Sequence, residues 1–420
     1  MLKNYLRTAL VYFLNQKAFT LINLIGLTIG IIVCFFSMLY IGFELSYDRY
    51  NSKAERIFRV VTDMRTSNGV EYKGTSPPMA PAILEMFPEV ESATRIGLDY
   101  YMVRTEGNQI NSYEEKIAYA DSSLFSVFDF NFVSGNKRRA LREPFSVVLS
   151  ESLSRKYFGN EDPLNKILVL DADTRVTVTG VMEDMPENSH FRVDMLMSLA
   201  TLLEAWWSPD MANSWTRFMC HTYLVLPEGY SSSQLEDKLA TLSSLHFNQE
   251  QSKYSMSLEP LTDVYLHGKS RSYRSGSIST GNISNLYFIG MVAVFVLAAA
   301  CFNFANLTTA ISIKRAKEIG VRKILGATRN QLKLQFLLDT VLLSFIALLT
   351  ALCVAMLLLP FFKQLSGTVM EITTLDYLKY AGLLTLLTAF VGFISGLYPA
   401  FILSRHQIMS TLKGLPVSSG

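Results

Sequence analysis

Four stretches of this chain carry no charged side chain over lengths that suit a lipid bilayer: Ala18 to Phe43, Leu286 to Ile313, Thr340 to Phe362 and Tyr380 to Ser404. Hydrocarbon offers the backbone no hydrogen-bond partner, so each stretch must satisfy its own N–H and C=O groups, which a helix does. About 20 helical residues cross the apolar layer, and all four stretches exceed that. Composition agrees, since charged residues make up 18% of the chain where soluble domains carry about 25%. The first stretch differs from a signal peptide. Its apolar run is longer than the usual 7–15 residues or so, and Tyr40-Ile-Gly-Phe-Glu44 closes it without a small-residue cleavage site.

The basic residues set the orientation. Between the second and third stretches lie Lys314, Arg315, Lys317, Arg322, Lys323, Arg329 and Lys333, opposed within the loop only by Glu318, with Asp339 at the edge of the third stretch. Short loops rich in Lys and Arg stay in the cytoplasm. Both termini and this loop are therefore expected inside, with the long insert outside. The expected plan is a cytoplasmic amphipathic helix over 1–17, spans over 18–43, 286–311, 336–362 and 380–404, an outer domain over 44–285, a cytoplasmic loop over 312–335, a short outer loop over 363–379 and a tail over 405–420. The fold class is an α-helical membrane protein with an α/β domain inserted between its first and second spans. The net charge of +2 is too small to point to nucleic acid.

Local signals sharpen this plan. Leu2, Tyr5, Leu6, Ala9, Leu10 and Phe13 recur at helical spacing, as suits a helix lying on the membrane surface. A break falls at Asn15-Gln16-Lys17. Gly26 with Gly30, and Gly392 with Gly396, form small-xxx-small pairs that let helix backbones approach closely, in a bundle or a dimer. Asn303 and Asn306 are expected to form interhelical hydrogen bonds of about 1 kcal/mol each. In the basic loop, Gly326 supplies a helix-ending position, and Thr328 with Gln331 forms a capping box that starts the next helix. Ahead of them Lys314 to Leu325 reads as a short basic helix carrying Ile319, Ile324 and Leu325, the features of a docking surface.

In the insert, Arg56 to Val61 and Arg175 to Gly180 read as strands, rich in β-branched residues. Ser150 to Tyr157 reads as a helix stopped by Gly159, Pro81 to Phe87 as another, and Asp184 to His190 as a solvated turn. Cys220 is the only cysteine outside the spans, so no internal disulfide supports this domain.

Lys314-Arg-Ala-Lys-Glu-Ile-Gly-Val-Arg-Lys-Ile-Leu-Gly-Ala-Thr328, followed by Gln335-Phe-Leu-Leu-Asp339, resembles the signature of MacB/FtsX-like ABC transporter permeases. Family members usually carry Glu at the position of Asp339. Gly396-Leu-Tyr-Pro-Ala-Phe-Ile-Leu-Ser-Arg405 resembles the family's closing span. Val147-Val-Leu-Ser-Glu-Ser152, Lys156-Tyr-Phe-Gly159 and Val178-Thr-Gly-Val-Met-Glu-Asp-Met-Pro-Glu-Asn-Ser-His-Phe191 resemble its periplasmic core.

The resemblance implies a permease in a bacterial inner membrane, working with a separate cytoplasmic ATPase of the MacB/LolD kind. Lys314, Arg315, Lys317, Glu318, Ile319, Gly320, Arg322, Lys323, Leu325, Gly326 and Ala327 would couple to it. A second permease subunit, or a second half of a duplicated permease, is implied, and a periplasmic adaptor or outer-membrane component is compatible. The residues leave open a regulator of a periplasmic enzyme such as a cell-wall hydrolase, and a membrane receptor. They also leave open whether the chain is a complete four-span subunit.

No catalytic, metal or cofactor site is expected. Gly268-Lys269-Ser270 looks like the end of a phosphate-binding loop, but Asp263 occupies its required earlier glycine position. His190 among Glu183, Asp184 and Glu187 lies on a turn, and His221 beside Cys220 reads as a strand residue. Trp206, Trp207 and Trp215 are expected to pack. Asp339 is expected near the cytoplasmic edge of the third span, contacting the basic loop.

Overall fold

The computed structural model describes residue 13 and residues 15–107, 113–171, 173–247, 254–269, 278–314, 328–367 and 374–405. These divide into two compact units, one of Met1–Phe43 with Ser284–Gly420 and one of Glu44–Ile283. Helices of at least eight residues are labelled α1 (Lys17–Glu44), α2 (Met79–Met86), α3 (Glu151–Phe158), α4 (Ser232–His246), α5 (Ile283–Lys314), α6 (Arg329–Ser366) and α7 (Thr374–Arg405). Residues 1–12, which hold most of the expected surface helix, lie outside the described residues.

The first unit contains α1, α5, α6 and α7, each long and apolar enough to cross a membrane. Gln16 forms a bend before α1, where the break was expected. The helices overrun the uncharged stretches at their ends because a helix continues through flanking polar residues until a cap stops it. At the start of α6, Thr328 Oγ1 accepts from Gln331 N–H at 3.4 Å, and Gln331 Oε1 accepts from Thr328 N–H at 3.0 Å. This is the expected capping box. At its end Gly367 adopts φ +64°, a left-handed position that favours glycine. Leu27 and Ile31 of α1, Phe304 of α5, Leu343 and Ala347 of α6, and Leu384 of α7 form the buried core of this unit.

The second unit is built on one mixed sheet of eleven strands among the described residues. They are β1 (Ile57–Thr66), β2 (Gly69–Lys73), β3 (Ser92–Thr105), β4 (Tyr113–Ala120), β5 (Phe132–Gly135), β6 (Ser146–Ser150), β7 (Ile167–Leu170), β8 (Thr174–Met182), β9 (Met195–Ser198), β10 (His221–Val225) and β11 (Tyr254–Pro260). The order is β11-β1-β10-β3-β4-β9-β6-β8-β5, with β2 paired to β1, and β7 to β3 and β8. The β4–β9 and β6–β8 pairs are parallel and the other pairs antiparallel.

Continuous apolar runs mark the buried strands. Val147, Val148 and Leu149 of β6 are fully buried, each worth about 1.5–3 kcal/mol of burial. Helix α3 follows β6 directly, with Ser150 Oγ accepting from Leu153 N–H and Gly159 closing it at φ +61°. Helices α2 and α4 place Ile83, Leu235, Leu239 and Leu242 against Phe58, Val60 and Leu258 of the sheet.

Candidate coupling site and span packing

Lys314 is the last residue of α5. The other expected coupling residues, Arg315, Lys317, Glu318, Ile319, Gly320, Arg322, Lys323, Leu325, Gly326 and Ala327, lie outside the described residues. Their boundaries are visible: α5 delivers the chain at Lys314, and the Thr328 box begins α6. Asp339 is buried in α6, two turns beyond that box.

The four glycines sit where spans approach each other. A Cβ at Gly30 of α1 would lie 3.2 Å from Ala300 Cβ on α5, and one at Gly26 would lie 3.5 Å from Asn303 Nδ2. On α7, a Cβ at Gly392 would lie 2.8 Å from Ser344 Oγ and 3.1 Å from Val341 Cα. At Gly396 it would collide with Thr340 Oγ1 and lie 3.2 Å from Leu337 Cδ2. Both residues on the receiving helix bond to its own backbone, Thr340 Oγ1 to Leu337 O at 3.0 Å and Ser344 Oγ to Thr340 O at 2.9 Å. Their hydroxyls therefore stay satisfied in an apolar setting while the glycines make room for them. Nothing in the spacing of Thr340 and Ser344 announced this.

Asn303 and Asn306 depart from expectation. Both are exposed in the single chain, and neither side chain makes a hydrogen bond among the described residues. The reason lies in α5 itself, whose most apolar window is only 11% buried, against 44% for α1.

Among the described residues no group of three or more His, Cys, Asp and Glu side chains could hold a metal. The amide of Lys269 donates to Glu259 Oε1 at 2.5 Å, so a carboxylate occupies the direction a phosphate would need. His221 lies in β10 as expected; burial first, then Arg59 and His190, pushes its pKa well below the ordinary value, so it is neutral at pH 7. Trp206 packs against Tyr101 and Tyr119, and Trp215 stacks on His246.

His190 corrects the sequence reading. It lies on the expected turn, yet its side chain is 0% exposed rather than solvated. Asp48 and Tyr223 enclose it, with Asp48 Oδ1 at 2.8 Å from Nδ1 and Tyr223 Oη at 2.6 Å from Nε2.

Residues 20–242 match the family model of the MacB-like periplasmic core domain, and residues 290–408 that of the FtsX-like permease C-terminal region. The macrolide export ATP-binding/permease protein MacB of Haemophilus ducreyi is 22% identical over 76% of this chain and 42% of its own length. Its counterpart from Neisseria gonorrhoeae is 26% identical over 48% of this chain and 28% of its own. The chain thus spans less than half the length of these relatives. A domain of a permease protein from Porphyromonas gingivalis, whose solved structure covers 50% of this chain and 92% of its own, is 29% identical with a TM-score of 0.43. The periplasmic region of MacB from Actinobacillus actinomycetemcomitans is 15% identical over 48% of this chain and 88% of its own, with a TM-score of 0.37.

Proposed function

The chain belongs to the MacB/FtsX-like ABC transporter permeases, and we propose that it couples ATP hydrolysis by a separate cytoplasmic ATPase to movement of its outer domain, for export or extraction of an envelope substrate. The observation that carries this reading is the joining of a periplasmic core match to a permease match in one chain. These 420 residues contain no phosphate-binding loop, which favours placing hydrolysis outside them. The basic bias of the loop after α5 supports a cytoplasmic position for it and an outer position for the Glu44–Ile283 unit.

The exposed amide of Asn306 supports a second permease subunit. A polar side chain facing lipid lacks a partner, and a neighbouring helix supplies one.

Reversing two charges, Arg322→Glu with Lys323→Glu, tests the coupling site. Truncating one partner of a buried interfacial charge pair costs about 2–5 kcal/mol, so the affinity for the ATPase should fall roughly thirtyfold or more. Co-purification and stimulated ATP turnover are the readouts, with membrane insertion verified alongside. If both survive in an inserted double variant, the loop is not the coupling site.

A further inference from the structure

His190 stands where three parts of the Glu44–Ile283 unit meet. The first is the segment that leaves α1. Within it Asp48 takes a left-handed backbone conformation, φ +60°, which Asp tolerates better than most residues. Its amide donates to Asn188 O at 2.9 Å, and its Oδ1 accepts from His190 N–H at 3.2 Å besides meeting Nδ1. Both described partners of that buried carboxylate thus belong to His190, and Oδ2 has none. Asn188 Nδ2 also donates to Ser46 O at 3.0 Å and to Ser46 Oγ at 2.9 Å, and Tyr50 Oη donates to Ser189 Oγ at 3.1 Å.

The second part is the segment that enters α5. Ser279 N–H donates to His190 O at 2.7 Å, and Gly281 N–H donates to Tyr265 O at 2.9 Å. A Cβ at Gly281 would lie 2.6 Å from the Tyr265 ring, so the close approach needs glycine. Tyr265 returns to the first segment, stacking on Tyr47 at 3.4 Å and donating to Glu44 Oε2 at 2.9 Å. The third part is the sheet, reached through Tyr223 of β10, an interior strand that lies between β1 and β3.

We propose that His190 is a positioning residue that locks the chain leaving α1, the chain entering α5 and the central sheet into one body, so that movement of the two spans reaches the domain as a single displacement. This deepens the permease reading and rests on it. The polar atoms of His190 divide the three parts among them. Its N–H and Nδ1 hold the outgoing segment, its carbonyl holds the returning one, and Nε2 holds the sheet. A flexible linker would need none of these bonds. Two independent linkers would not share a residue.

Hydrogen exchange of the full chain in lipid nanodiscs, without any ATPase, tests the junction separately from coupling to a partner. His190→Gln keeps a polar group near the Nε2 position for Tyr223 and loses the one that meets Asp48, while leaving the backbone carbonyl for Ser279. Although the substitution touches only the outgoing tie, the amides of Asp48, Ser279 and Gly281 should all exchange at least about tenfold faster. Val147 to Leu149 in β6 should keep their protection, which shows that the domain remains folded. A disulfide between Ser46→Cys and Asn188→Cys, whose native side chains touch, should restore protection at Ser279 in the His190→Gln background.

Loosening confined to Asp48, or a disulfide that leaves Ser279 unprotected, would show that the two segments move independently and would overturn the proposal. Unchanged exchange at all three amides would overturn it as well. If His190→Gln unfolds the domain, the Ser46→Cys/Asn188→Cys pair in the otherwise unaltered chain decides the question. Closing that bond should then slow exchange at Ser279 as well as at Asp48, and an effect at Asp48 alone overturns the proposal. None of these outcomes depends on whether the Arg322 and Lys323 reversal abolishes docking.

Discussion

Replacing Glu259 by leucine should remove a large share of the outer domain's stability, and replacing Arg59 by methionine in the same chain should restore most of it. The Arg59 side chain is 0% exposed and that of Glu259 is 5% exposed. Glu259 Oε2 accepts from Nε at 3.0 Å and from a terminal guanidinium nitrogen at 2.6 Å, and Oε1 accepts from the Lys269 amide. Leucine leaves the buried guanidinium without its carboxylate, a loss of about 3–5 kcal/mol. The double variant removes both charges, and such exchanges are often neutral or stabilising by about 1–4 kcal/mol. Tryptophan fluorescence reports on this domain alone, because Trp206, Trp207 and Trp215 all lie in the Glu44–Ile283 unit. With a urea dependence of about 3 kcal/mol per molar, suited to a larger domain, the single variant's midpoint should fall by about 1–1.7 M. A fall of less than about 0.3 M, or a double variant as unstable as the single, would refute the claim that the pair is buried and mutually dependent.

Gly396→Leu should lower the thermal midpoint of helical circular dichroism in micelles, since overpacking costs about 1–3 kcal/mol and Thr340 already fills the space. Gly382→Leu, with nothing within 4 Å of its Cβ position, should leave that midpoint unchanged. The Cys220 thiol is pushed up to about 12, chiefly by burial, with Arg95 opposing and Asp121 reinforcing the shift. It stays protonated at pH 8, so in a chain whose other three cysteines are alanine a thiol reagent should label it only after urea unfolds the domain. A cysteine at Asn136 should be labelled in intact cells and one at Asn330 should not, and the reverse pattern would invert the orientation.

Where a feature depends on neighbours a few residues away, the sequence displayed it. The Thr328 and Gln331 box needs only its own turn of backbone, and it forms as read. The helix after β6 starts on Ser150 and stops on Gly159 for equally local reasons. The strand read from Arg175 to Gly180 lies within β8, and that read from Arg56 to Val61 overlaps β1. Sheet order was not legible. Parallel pairing of β4 with β9 joins Ile117 to Met195 across intervening strands, and no local pattern selects that partner. The same limit explains His190. Pro186 and Asn188 correctly mark a turn, and turns ordinarily lie in water. The residue that buries this one, Asp48, is 142 positions away in the chain. The coupling loop was legible as a motif, and its residues from Arg315 to Ala327 fall outside those described.

Span glycines illustrate how one pattern admits two uses that only packing separates. Small residues four apart allow a close helix neighbour without saying whether it belongs to the same chain. Here Gly26 and Gly30 receive α5, and Gly392 and Gly396 receive α6, so all four clefts are filled from within. A helix from a second copy entering those clefts would have to displace Ala300 or Thr340. On α5, Phe295, Phe302 and Asn306 are exposed, while Asn303 Nδ2 lies against Gly26 of α1. The phenylalanines are at home against lipid, but the Asn306 amide is not, because hydrocarbon offers it no hydrogen bond. A contact that satisfied it would lie on the face of α5 that carries Asn306. Exchanging Asn306 for leucine should weaken association between permease subunits while sparing the glycine contacts inside each one.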